Sequence, residues 1–119
     1  MRDILFRGKR VDNDEWTEGY FFKSWDKVFL LWGMTGDSPN MEEVKPETVG
    51  QYTGLTDKNG KKIFEGDILL KGFEKVLVKW NANQCRWGIY SNNYEICGFN
   101  ESTQGYFEVI SNIYDNKEE

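Results

Sequence analysis

Apolar and polar residues alternate with a period of two over most of this chain, in short runs separated by Gly, Asn, Asp and Ser. That pattern predicts strands, because successive side chains of an extended backbone point to opposite faces. In ILFRGKR the apolar residues are consecutive, so Ile4 and Phe6 share one face while Leu5 and Arg7 share the other, as expected of a central strand. Trp16, Glu18, Tyr20 and Phe22 alternate with Thr17, Gly19 and Phe21 in a second strand. Ser24-Trp25-Asp26 reads as a turn and Lys27 to Trp32 as a third strand, completing an antiparallel meander. Residues 33–43, GMTGDSPNMEE, have the composition of a loop. An extended pattern resumes in VKPETVGQYTGL, where Pro46 suits an edge or a strand start. DILLKG and KVLVKW form a pair of strands, with Val76, Val78 and Trp80 opposite Leu77 and Lys79. In RWGIY, Arg86, Gly88 and Tyr90 oppose Trp87 and Ile89. The stretch SNNYEICGFNESTQG has no sustained period, and a short helical turn fits around Tyr94 to Cys97. YFEVISNIY supplies a last strand, and DNKEE reads as a solvated tail.

The segment YTGLTDKNGKKIFEGDIL carries the strongest local signal. Asn59-Gly60 is the dipeptide of a type I′ hairpin turn, which would set Lys58 opposite Lys61, Asp57 opposite Lys62, Thr56 opposite Ile63 and Leu55 opposite Phe64. Glu65-Gly66-Asp67 interrupts the pattern. Gly66 is expected in a conformation that a Cβ would resist, and Asp67 is expected to accept from backbone N–H groups of the turn. Asn59, Gly60, Gly66 and Asp67 are therefore read as structural turn residues. Glu65 and Asp67 could alternatively be catalytic carboxylates, but no neighbour in the sequence would split their pKa values or share a metal with them.

A chain of 119 residues is long enough for one domain with a core: a β meander over about 1–50, a hairpin and barrel over about 51–114, and the tail at 115–119. Aromatic residues at 16%, twelve Gly and two Pro favour short strands over helices. The absence of His removes the commonest general base, and Cys85 and Cys97 have no partners for zinc; no catalytic residue, metal or cofactor is assigned. No apolar run spans a bilayer and the start does not read as a secretory signal, so a cytoplasmic protein with no membrane contact is expected. The net charge of −5 argues against duplex DNA as a partner. Arg2, Arg7, Lys9 and Arg10 nevertheless make the start basic, and the end is acidic.

MRDILFRGKRVDNDEW at the start, QYTGLTDKNGKKIFEGDIL in the middle and EVISNIY near the end resemble the YopX-like proteins of bacteriophages and prophages, over essentially the whole chain. The resemblance implies β-rich structure, a phage setting within a bacterial cell and self-association, and it brings no catalytic residues. The fold expected is mainly β with little helix: an antiparallel meander and hairpins forming a small SH3-like barrel with an N-terminal β extension. The function expected is a non-catalytic binding module that captures a small nucleotide-type ligand or blocks a host protein. Arg2, Arg7 and Arg86 would supply forked donors, and Trp16 and Tyr20 would supply ring faces for a base. Arg7 is the sharpest of these, its stem held by Leu5. A protein-interaction or single-stranded nucleic-acid module in phage replication is the alternative. A metal-dependent hydrolase using Glu65 and Asp67 with Asp12, Asp14 and Glu15 is a third reading.

Overall fold

The computed structural model describes residues 4–100 and 104–115; Arg2 and residues 116–119 of the expected tail lie outside these. The strands in chain order are β1 (Phe6–Lys9), β2 (Trp16–Ser24), β3 (Lys27–Thr35), β4 (Ser38–Val44), β5 (Gly50–Thr56), β6 (Lys62–Phe64), β7 (Asp67–Lys71), β8 (Glu74–Asn81), β9 (Arg86–Ser91), β10 (Tyr94–Gly98) and β11 (Glu108–Asn112). Helix is confined to two 3-10 turns, Pro46–Thr48 and Gln104–Tyr106. The protein is mainly β, as its alternation predicts. None of the described helices is long and apolar enough to cross a membrane. The chain forms two compact units, residues 1–52 and 53–119, with the boundary inside β5.

In the first unit β1 pairs with β2 on one side and with the start of β5 on the other, the central position that its double-sided apolar pattern demands. β3 pairs with β2, and β4 with β3. The end of β4 comes back to the end of β1: the Lys45 N–H donates to the Lys9 carbonyl at 2.8 Å, and the Val11 N–H donates to the Glu43 carbonyl at 2.9 Å. The strands thereby curl around Val28, Leu30 and Val44, with Phe6 and Val49 packed against them. Gly19 permits the close approach inside this curl, since a Cβ there would lie 2.5 Å from the Leu31 carbonyl oxygen. Residues 33–43 are not the loop that their composition suggests. They form the β3–β4 hairpin, which turns tightly at Gly36-Asp37 and pairs Met34 with Pro39. β4 ends the strand order, where the missing N–H of Pro39 interrupts no ladder.

The second unit holds a five-stranded sheet in the order β10-β9-β8-β7-β11. β7 to β10 are a meander, and β11 returns after the second 3-10 turn to lie beside β7, pairing Val109 with Leu69. Its core is Ile63, Leu69, Val76, Val78, Ile89, Phe99 and Phe107. Val76 and Val78 point inward as their alternation predicts. Trp80, expected beside them, is exposed and stands edge-on to Trp87 with ring centroids 5.1 Å apart. Residues 94–98, expected as a helical turn, are an edge strand; Asn92 and Asn93 both take positive φ and reverse the chain into it. Among the described residues neither sheet closes, so the expected barrel is not a closed one.

The hairpin over residues 56–62 exists with its register moved by one residue. Gly60 has φ +85° but Asn59 does not have positive φ, so the turn is not type I′. The Asp57 N–H donates to the Lys61 carbonyl at 2.8 Å, and the Gly60 N–H donates to the Asp57 carbonyl at 3.0 Å. The loop is therefore three residues long, a tight turn closed by a left-handed glycine, and Asp57 faces Lys61 rather than Lys62.

Candidate functional site

The carboxylates of the central motif are occupied by backbone amides. Asp57 is 6% exposed. Its Oδ1 accepts from the N–H groups of Asn59 at 2.8 Å and Lys61 at 2.9 Å, and its Oδ2 accepts from Val109 at 3.0 Å. Burial opposes its ionisation, but the amides of Val109, Lys61 and Asn59 and the charge of Lys61 outweigh that and hold the carboxyl below its ordinary value. Asp67, 1% exposed, accepts from the Phe64 N–H at 2.8 Å across the corner that joins β6 to β7. Gly66 in that corner has φ +91°; its N–H donates to the Val78 carbonyl and its carbonyl accepts from the Ile113 N–H, each at 3.0 Å. Asp12 is held by Arg10, and Asp14 by Lys45. Among the described residues no group of three or more His, Cys, Asp or Glu is arranged to hold a metal ion.

The structure brings together two of the residues proposed from sequence for ligand binding. The Arg7 guanidinium carbon lies 4.7 Å from the centre of the Trp16 ring, and the Lys9 ammonium lies 5.4 Å from it. Strand parity explains the cluster, because Arg7 pairs with Glu18 and Lys9 with Trp16 across β1 and β2. The ring that could have stacked a base is thus already covered by cations. Tyr20 stands four residues along β2 on the same face and is 61% exposed. Arg86 belongs to the second unit, where it grips Glu95 with nitrogen–oxygen distances of 2.9 and 3.4 Å. Arg86, then the Asn81 side chain, holds the Glu95 carboxyl below its ordinary range. Arg10 is engaged as well, with Asp12 and Glu42.

An open apolar feature of the first unit escaped the sequence reading. Tyr20, Leu31 and Met41 form one row across β2, β3 and β4, and Phe22 and Phe29 pair in the next row, all on the face turned away from Val28, Leu30 and Val44. A depression of about 400 Å³ is lined by Tyr20, Phe21, Phe22, Leu31, Pro39 and Met41. KVFLLW is apolar on both faces, so its pattern gave no sign of which face would meet solvent. The available clue was Trp25, a large apolar residue in a two-residue turn.

Residues 5–118 match the family model described as YopX protein. No curated protein matches the chain.

Proposed function

The chain belongs to the YopX family, and we propose that it works as a non-catalytic protein-binding module of phage type in the cytoplasm of a bacterial host, through the aromatic face of β2–β4. The observation that carries this reading is the depression between Tyr20, Leu31 and Met41, since contiguous exposed apolar surface rimmed by polar residues marks interaction sites. A non-catalytic role is supported by the lack of any His and by the engagement of Asp57 and Asp67 with backbone amides. Capture of a nucleotide-type ligand has less support, because Arg7 and Lys9 already occupy the Trp16 ring and Arg86 is committed to Glu95. In the second unit, a four-strand meander and a fifth strand returning beside the first after a 3-10 turn follow the strand order of small SH3-like barrels. We read that unit as an open form of one, a scaffold type that serves many unrelated functions.

The test compares the parent with Leu31→Asp, each immobilised and exposed to lysate of the bacterial host. A protein retained by the parent and lost with the variant, whether from the lysate or from free parent chain added to it, is the expected result. Equal retention by both would overturn the assignment of this face.

A further inference from the structure

Four hairpins among the described residues turn through two residues, and they form an internal comparison. β3–β4 and β7–β8 place Gly36 and Gly72 at the first central position, each with φ +63°, and β9–β10 uses Asn92-Asn93. These are the residue types that positive φ favours. β2–β3 instead places Trp25 at that position, with φ +59° and the residue 94% exposed. A bulky residue in the left-handed region is a genuine outlier. Strain of this kind persists where the surrounding structure holds it, and it clusters at functional sites. Trp is also among the residues enriched at the energetic centres of protein interfaces.

The tip therefore carries an anchor, and the same hairpin carries a receptacle. Trp25 shares its turn with exposed Asp26 and is flanked by exposed Lys23 and Lys27, which leave the tip with a net positive charge. The depression has acids at its margin: Glu43 lies two residues along β4 from Met41 on the same face, and Asp37 sits in the turn before Pro39. Its volume of about 400 Å³ falls within the range of pockets that admit an organic ring system. Trp25 in the turn and Leu31 on β3 are six residues apart, about 20 Å of extended chain. Two antiparallel hairpins can thus each offer a tip to the other's depression, in an arrangement closed by a two-fold axis.

Resting on the reading of this face as a binding surface, we propose that the occupant of the depression is Trp25 of a second copy of the chain, in a reciprocal dimer. Two copies of the purified protein supply both the cationic tip and the acidic margin, so the association weakens as salt rises.

Sedimentation velocity from about 1 to 100 μM tests this for the parent, Trp25→Gly and Leu31→Asp. The parent is expected to shift from monomer to dimer. Either variant alone should associate at least about 30-fold more weakly. An equimolar mixture of the two, which restores one tip-to-depression contact, should associate more tightly than either variant alone. At about 1 μM, where both chains are monomeric and dimerisation adds nothing to stability, Trp25→Gly should melt no lower than the parent, because glycine removes the left-handed strain. A parent that stays monomeric, a Trp25→Gly dimer as tight as the parent's, or a Trp25→Gly chain that melts lower than the parent at about 1 μM would each overturn the proposal. A monomeric parent whose Leu31→Asp variant still loses a host protein would overturn this proposal alone. A Leu31→Asp chain unchanged in both assays would remove the reading of the face with it.

Discussion

Replacing Asp57 by Asn tests the architecture of the central motif at its most concentrated point. The carboxylate accepts from three backbone amides, and the one from Val109 lies 52 residues away in sequence. An Asn side chain keeps a single acceptor oxygen. If that oxygen stays with Asn59 and Lys61, those two bonds survive in weaker, uncharged form, while the new NH₂ group confronts the Val109 N–H. Hydrogen bonds to a charged acceptor contribute about 1.5–3 kcal/mol each, and a buried donor left without a partner costs about 1–3 kcal/mol. Because these contributions overlap, we expect a loss of about 2–4 kcal/mol. With a urea slope of about 1–3 kcal/mol/M for a chain of this size, the midpoint should fall by about 1–2 M. The pH dependence has a fixed sign. The folded carboxyl titrates below its ordinary value of 3.8, so Asp57 stabilises the fold above that pH and ceases to do so as pH falls through its folded value. The gap between parent and variant should therefore be widest above about pH 5 and narrow as pH falls below 3.8 through the folded value. A midpoint change under about 0.3 M, or a gap constant across that range, would refute the reasoning.

Gly60→Val should destabilise by about 1–3 kcal/mol, read by thermal melting. Nothing lies within 4 Å of the added Cβ, so the whole effect comes from φ +85°. Gly60→Asn should cost less than half as much, since Asn tolerates the left-handed region. Gly19→Ala should be the harsher change at about 3 kcal/mol or more, because its Cβ meets the Leu31 carbonyl oxygen rather than a movable side chain; a melting curve matching the parent's would contradict the close approach of β2 and β3. Arg86→Ala should raise the Glu95 carboxyl towards its ordinary pKa, followed by carbon NMR across an acid titration, and should leave binding to the β2–β4 face unaltered.

The strands were legible in the sequence wherever one face is buried and the other wet. In β8 and β9 the positions of Val76, Val78 and Ile89 follow directly from alternation. Residues 33–43 have the composition of a loop yet form a hairpin, because the two compositions coincide when the turn is tight and the strand lies at an edge, as with Gly36 and Pro39. The register at Asn59-Gly60 slipped because the dipeptide fits two turn types, and the choice was made by Asp57, whose carboxylate reaches Lys61 and, from far along the chain, Val109. No local pattern carries that distant contact. Of the residues proposed for binding, the pairing of Arg7 with Trp16 could be reached by parity once β1 and β2 were adjacent. The engagement of Arg86 with Glu95 required the β9–β10 pairing, which the ambiguous stretch concealed.

The return of β11 to β7 sets a timetable for synthesis on the ribosome. The hairpins β7–β8, β8–β9 and β9–β10 join sequence neighbours and can form as they emerge. The other edge of β7, with Ile68, Leu69 and Leu70, has no partner until Glu108–Asn112 has been made. During that interval the nascent chain presents an apolar strand edge, the kind of surface that recruits other strands. Release of a chain cut before Glu108 would leave that edge permanently open, so premature termination late in translation should yield aggregates rather than a slightly weakened protein.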